Sequence, residues 1–195
     1  FFLKIGPKGD GFNGLDVDEL TNAMVTCRRR AVEYLDTLRE YFPGFKNARI
    51  SHTSPIMGVR STRRIVGEYK LTVDDVKAGR GFDDTVGFSG YHWDMATPGD
   101  SEQRMLNKTS YGGEWTDIPY GIMVPQGVDN IIAPGRSVSA AWDTMGILRI
   151  MPACFAMGQA AGIAAATAAS SGTAFRDIDT GNLREQLRSE GAVVD

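Results

Sequence analysis

Asn130-Ile131-Ile132-Ala133-Pro134-Gly135-Arg136, followed by Arg149-Ile150-Met151-Pro152 and then Met157-Gly158-Gln159-Ala160-Ala161-Gly162-Ile163-Ala164-Ala165, decides the reading of this chain. Residues 130–133 form a short apolar run of the kind found in a buried parallel strand. Pro134-Gly135-Arg136 ends it. Ligands of open α/β sheets sit beyond the C-terminal ends of strands, and a glycine there lets backbone approach a ligand closely. Residues 151–169 are rich in alanine, hold no proline after Pro152 and read as one helix. Proline suits a first turn, where its missing N–H would be unpaired anyway. Gly158 and Gly162 have the spacing of a membrane helix contact. Alanine and glycine are weakly hydrophobic, however, and Arg149 and Gln159 interrupt the run. The helix is therefore expected to pack close to a sheet or a cofactor, with no membrane span.

Upstream, residues 118–124 are a strand candidate, as are 48–54, 58–61 and 65–71. Thr72, ahead of Val73-Asp74-Asp75, is placed to cap a helix. Asp16 with Glu19 three residues on resembles a capping box. Apolar residues then recur at Val17, Leu20, Met24, Cys27, Ala31, Tyr34, Leu35, Leu38 and Phe42, which predicts a long helix over 17–42 with one buried stripe. Pro43-Gly44 stops it. A short terminal helix is expected around 183–187. The remaining stretch, 79–118, reads as loops and short strands. Gly9-Asp10-Gly11-Phe12-Asn13-Gly14 matches the dinucleotide pattern G-x-G-x-x-G, but Lys4, Gly6, Pro7 and Lys8 precede it where a buried strand is needed. Asp10 would also oppose a pyrophosphate, so the segment reads as loop.

The chain has 195 residues and a net charge of −3, with 42% apolar and 23% charged residues. That suits an ordinary globular protein and excludes a disordered one. Arg28–Arg30 is the one basic cluster, which a solvated helix face explains, so no nucleic-acid partner is expected. Cys27 and Cys154 stand in apolar helical patterns and read as buried thiols. With only His52 and His92 beside them, no metal-ligand spacing is present. No targeting segment is legible, and a cytoplasmic setting is the default expectation.

Taken together, Ile118-Pro119-Tyr120, Val124-Pro125, residues 128–140, Arg149-Ile150-Met151-Pro152 and Met157 to Ala165 closely resemble the C-terminal end of the FAD-dependent oxidoreductases related to fumarate reductase flavoproteins and the glutathione reductase-like fold. Gly58-Val59-Arg60-Ser61-Thr62-Arg63-Arg64-Ile65-Val66-Gly67-Glu68-Tyr69 resembles that family's substrate-domain segment. The resemblance implies an α/β fold: the C-terminal part of a two-domain, Rossmann-like FAD-binding flavoprotein with a β-rich substrate-domain portion. Residues 1–117 would be the substrate portion and 118–195 the returning part of the FAD domain.

In such enzymes the last strand and helix close around a flavin held chiefly by an N-terminal βαβ unit. That unit's G-x-G-x-x-G is expected on another polypeptide or on an upstream segment. The resemblance implies FAD as cofactor, with Ala133, Gly135, Arg136, Arg149, Ile150 and Met151 as its contacts. A helix N-terminus at the flavin pyrimidine edge favours the negative charge that gathers there on reduction. The expected chemistry is hydride transfer between a small organic substrate and the flavin. Family histidines are replaced at Ala96 and near Trp142, leaving Arg60, Tyr91 and His92 as catalytic candidates. Tyr69 is a further pocket candidate, and Arg60, Arg63 and Arg64 are potential anion-binding groups. The competing expectation is a non-catalytic accessory chain that stabilises a partner flavoprotein.

Overall fold

The computed structural model describes residues 12–91 and 115–195. The glycine-rich opening through Gly11 and the candidate His92 lie outside them. The chain forms two compact units, Phe1–Thr62 and Arg63–Asp195.

In the first unit, α1 spans Val17–Tyr41. Asp16 caps it, its carboxylate accepting the N–H groups of Asp18 and Glu19, each at 2.9 Å. Glu19 does not complete a capping box. Its Oε2 accepts instead from the Asn13 N–H at 2.7 Å and closes a wider loop. Of the expected stripe, Leu20, Met24, Cys27, Ala31, Leu35 and Leu38 are only half-buried and Val17, Tyr34 and Phe42 are exposed, while Ala23 alone is fully buried on this helix. After Gly44 the chain turns back. Arg39 donates twice to the Ala48 carbonyl, at 3.0 and 2.7 Å, and Arg28 donates to that of Ser54 at 3.4 Å. The strands expected at 48–54 and 58–61 do not form; those residues carry no regular structure.

The second unit carries a core in which Leu71, Ile118, Ile122, Met123, Met145, Ile147, Leu148, Met157 and Leu187 are wholly buried. β1 (Thr85–Ser89) and β2 (Thr116–Pro119) pair antiparallel, Phe88 opposite Asp117 and Ser89 opposite Thr116. The strand expected over 118–124 stops at Pro119, which lacks an N–H for the ladder, and Tyr120–Met123 curls into a 3₁₀ turn. Residues 65–71 bend at Glu68 and Tyr69 and divide their bonds between two neighbours without becoming a strand. Ile65 donates to Ser137 O at 2.9 Å, Glu68 to Val124 O at 2.9 Å and Leu71 to Ser139 O at 3.2 Å. Gly67 is required there, since a Cβ would lie 2.7 Å from the Ser139 Cβ. The described residues are thus mainly helical with one small sheet, rather than β-rich.

Among the described residues of this unit, further helices are α2 (Val73–Ala78), α3 (Met145–Leu148), α4 (Met151–Ser171) and α5 (Thr180–Ser189). Thr72 and Asp75 form a true capping box on α2. Arg80 reinforces it, donating to Asp75 Oδ1 at 3.0 Å and to the Tyr69 hydroxyl at 3.1 Å while lying over the Phe82 ring. Burial alone would raise the Asp75 carboxyl's pKa. Hydrogen bonds from Thr72, Tyr69 and Arg80 outweigh it and hold that pKa below its ordinary value. On α4, Ala153, Met157, Ala160, Ala161 and Ala164 share the buried face. By length and composition alone α4 could cross a membrane; here this face belongs to the core.

Glycines set how closely α4 is approached. A Cβ on Gly87 of β1 would lie 2.9 Å from the Ala156 Cβ, whereas one on Gly158 or Gly162 would meet nothing within 4 Å. The expectation that Gly158 lies in a tight contact is therefore corrected: it faces outward. Gly87→Val is expected to destabilise the chain by about 1–3 kcal/mol through overpacking. Gly158→Ala is expected to stabilise it by about 0.5–1 kcal/mol, since alanine is the better residue in an open helix interior. Urea unfolding of the two variants checks the opposite signs; equal effects would contradict the packing described.

Candidate functional site

Residues 130–133 do not form the expected strand. Asn130 has φ +57°, which turns the chain before Ile131, and Ile131 is about half exposed. The segment is tied to the core where the Ala133 N–H donates to Met123 O at 2.9 Å. A 3₁₀ turn then spans Gly135–Ser137. Gly135 opens it at φ +81°, a conformation that L side chains avoid. A Cβ there would stand 3.8 Å from Cys154 Sγ, so this turn lies against the first turns of α4.

The same place is reached from the other side. Arg149 closes α3, its N–H donating to Met145 O at 3.1 Å, and Ile150 is the N-cap of α4. Ile150 offers no capping side chain, and Pro152 has no N–H to give. Met151 is 73% exposed at this helix start. The Cys154 thiol points back to Leu148 O at 3.7 Å. Burial raises the Cys154 pKa, and the nearby positive charge of Arg136 partly offsets that. Gly135 and Arg136 therefore lie near the start of α4, where Arg149, Ile150 and Met151 lead in without a side-chain cap, while Ala133 is tied to Met123. Beside it, Val86, Phe88, Phe155, Gln159 and Val193 line a groove of about 320 Å³.

The catalytic candidates fall in different parts of the chain, and His92 lies outside the described residues. Arg60 belongs to the first unit, and Tyr91 stands just beyond β1 in the second, 39% exposed. Tyr69 serves the Asp75–Arg80 cluster and packs edge-on against Phe82 at 5.1 Å. Both cysteines are free, half-buried thiols. Among the described residues no group of three or more His, Cys, Asp or Glu side chains could hold a metal ion. Arg64, one of the anion-binding candidates, lies over the Trp142 ring, 5.6 Å from its centroid, a pairing the sequence did not indicate.

The family model described as FAD dependent oxidoreductase matches residues 4–187. The chain belongs to that family, and FAD is its cofactor. No match was found among curated proteins or among solved structures.

The Cys154–Arg136 proximity has a direct chemical readout. In a Cys27→Ala background, alkylation of Cys154 is expected to follow a pH profile with its midpoint above that of an ordinary thiol. Removing the offsetting charge in Arg136→Gln should move the midpoint higher and slow alkylation at pH 8. A profile that ignores Arg136 would mean that this side chain does not face the start of α4.

Proposed function

We propose that this chain is the closing part of a flavin-dependent oxidoreductase. Gly135 and Arg136 hold the phosphate or ribityl portion of FAD, and Arg149, Ile150 and Met151 face the flavin ring. The observation that carries this reading is the packing of the positive-φ turn at Gly135 against the uncapped start of α4. The residues fit the group. An anionic cofactor is stabilised by unpaired helix N–H groups and by the positive end of the helix dipole, and two arginines stand at the same place.

FAD supplies the redox chemistry, taking a hydride from a small organic substrate or returning one. The chain's own residues bind it, orient it and bias its electrostatics. The dinucleotide-binding βαβ unit comes from a companion polypeptide or another segment. The outward face of α4, with Phe155 72% exposed and open space at Gly158 and Gly162, supports that placement.

Met151→Glu tests the assignment of the helix start. A carboxylate is tolerated in a first turn and leaves the helix intact. In the assembled flavoprotein it is expected to lower the flavin reduction potential by about 10–20 mV, the equivalent of a dipole-scale interaction. Redox titration with FAD bound checks this; an unchanged potential would place the flavin elsewhere.

A further inference from the structure

We propose that Arg64, held on the face of Trp142, is an oxyanion-binding residue that takes the carboxylate or phosphate of a small ligand. Arg64 Nη1 is shut off from solvent and has no hydrogen-bond acceptor among the described residues. Arg184 also has a buried nitrogen without an acceptor, but its other nitrogens are well served, donating to Asp83 O, Val194 O and Asp195 Oδ1 at 2.8–2.9 Å. Among the described residues, the contact seen for Arg64 is the indole, its Cζ 5.6 Å from the ring centroid. A ring face attracts a cation but accepts no directed hydrogen bond from its planar fork. A buried donor on a charged group is costly when left unmet, and such a group in a folded protein calls for a functional or solvent explanation.

The position of Arg64 supports a ligand. Its neighbour Ile65 donates to Ser137 O at 2.9 Å, at the end of the Gly135–Ser137 turn. Trp142 lies on the segment that leads into α3 and on to Arg149. Arg64 and Trp142 are thus attached to both strands of chain that form the candidate site. Trp142 is 53% exposed, so an incoming anion reaches the guanidinium by sharing or displacing that ring. A guanidinium fork matches the two oxygens of a carboxylate or phosphate. Anion binding itself does not depend on the flavin reading. Placing the anion on the enzyme's substrate or cofactor does rest on it.

Trp142 provides the assay. In the chain carrying Trp93→Phe and Trp115→Phe, Trp142 is the sole tryptophan. Titration with sodium succinate and with inorganic phosphate is expected to change its emission saturably, while sodium chloride at matched ionic strength does not. Tighter binding of succinate points to a carboxylate substrate, and tighter binding of phosphate to the phosphate of a cofactor or substrate; either supports an oxyanion site. Arg64→Gln should abolish the response, and Arg64→Lys, which keeps the charge but loses the fork, should weaken it about tenfold or more. No saturable response, or one of equal affinity in Arg64→Lys, would overturn the proposal. Because no flavin is present, these outcomes are independent of whether the chain closes an FAD site.

Discussion

The second unit depends on the close approach of β1 to α4, where Gly87 faces Ala156. Only hydrogen at Gly87 allows it, since a Cβ would stand 2.9 Å from the alanine methyl. That contact, together with the buried face of Ala153, Met157, Ala160, Ala161 and Ala164, sets the height and roll of the helix over the core. Everything at the candidate site follows from the helix position. Its first turn meets the Gly135 turn, its N-cap joins directly to Arg149, and Cys154 fills the space between. Small side chains here reduce apolar burial per residue but permit a backbone separation that larger ones would forbid.

The helices were legible because their determinants are local. Asp16, Thr72 and Pro152 mark starts through groups within one turn, and the apolar spacing of residues 17–38 reports a stripe whatever covers it. The strands were less legible because pairing is decided elsewhere in the chain. Residues 65–71 have strand-like composition, yet their bonds are divided between 121–126 and 137–141, so no regular ladder forms. Residues 130–133 look like a buried strand by composition, but Asn130 in the left-handed region bends the chain and leaves one backbone tie, at Ala133. Nor does apolar spacing on α1 report depth of burial: the stripe is there but half-covered.

The candidate site divides in the same way. The turn at Gly135 and the helix start at Pro152 were legible because a glycine after an apolar run and a proline-marked helix start each have a local physical meaning. That the two places meet is a property of the fold, shown by Gly135 beside Cys154. Arg64 was among the anion-binding candidates, but its pairing with Trp142 was not legible, since the two residues are distant in sequence and are brought together by the fold. Arg60 and Tyr91 rested on resemblance rather than on a local physical signal.

The account's central claim is that this chain closes an FAD site whose pyrophosphate-binding unit lies on other polypeptide. Flavin absorbance after desalting tests it most directly, on the chain alone and on the chain co-expressed with a segment carrying the strand–GxGxxG–helix unit. The account predicts a colourless chain and a yellow, stoichiometrically loaded pair. A chain that retains stoichiometric FAD by itself, or a pair that retains none, would contradict it.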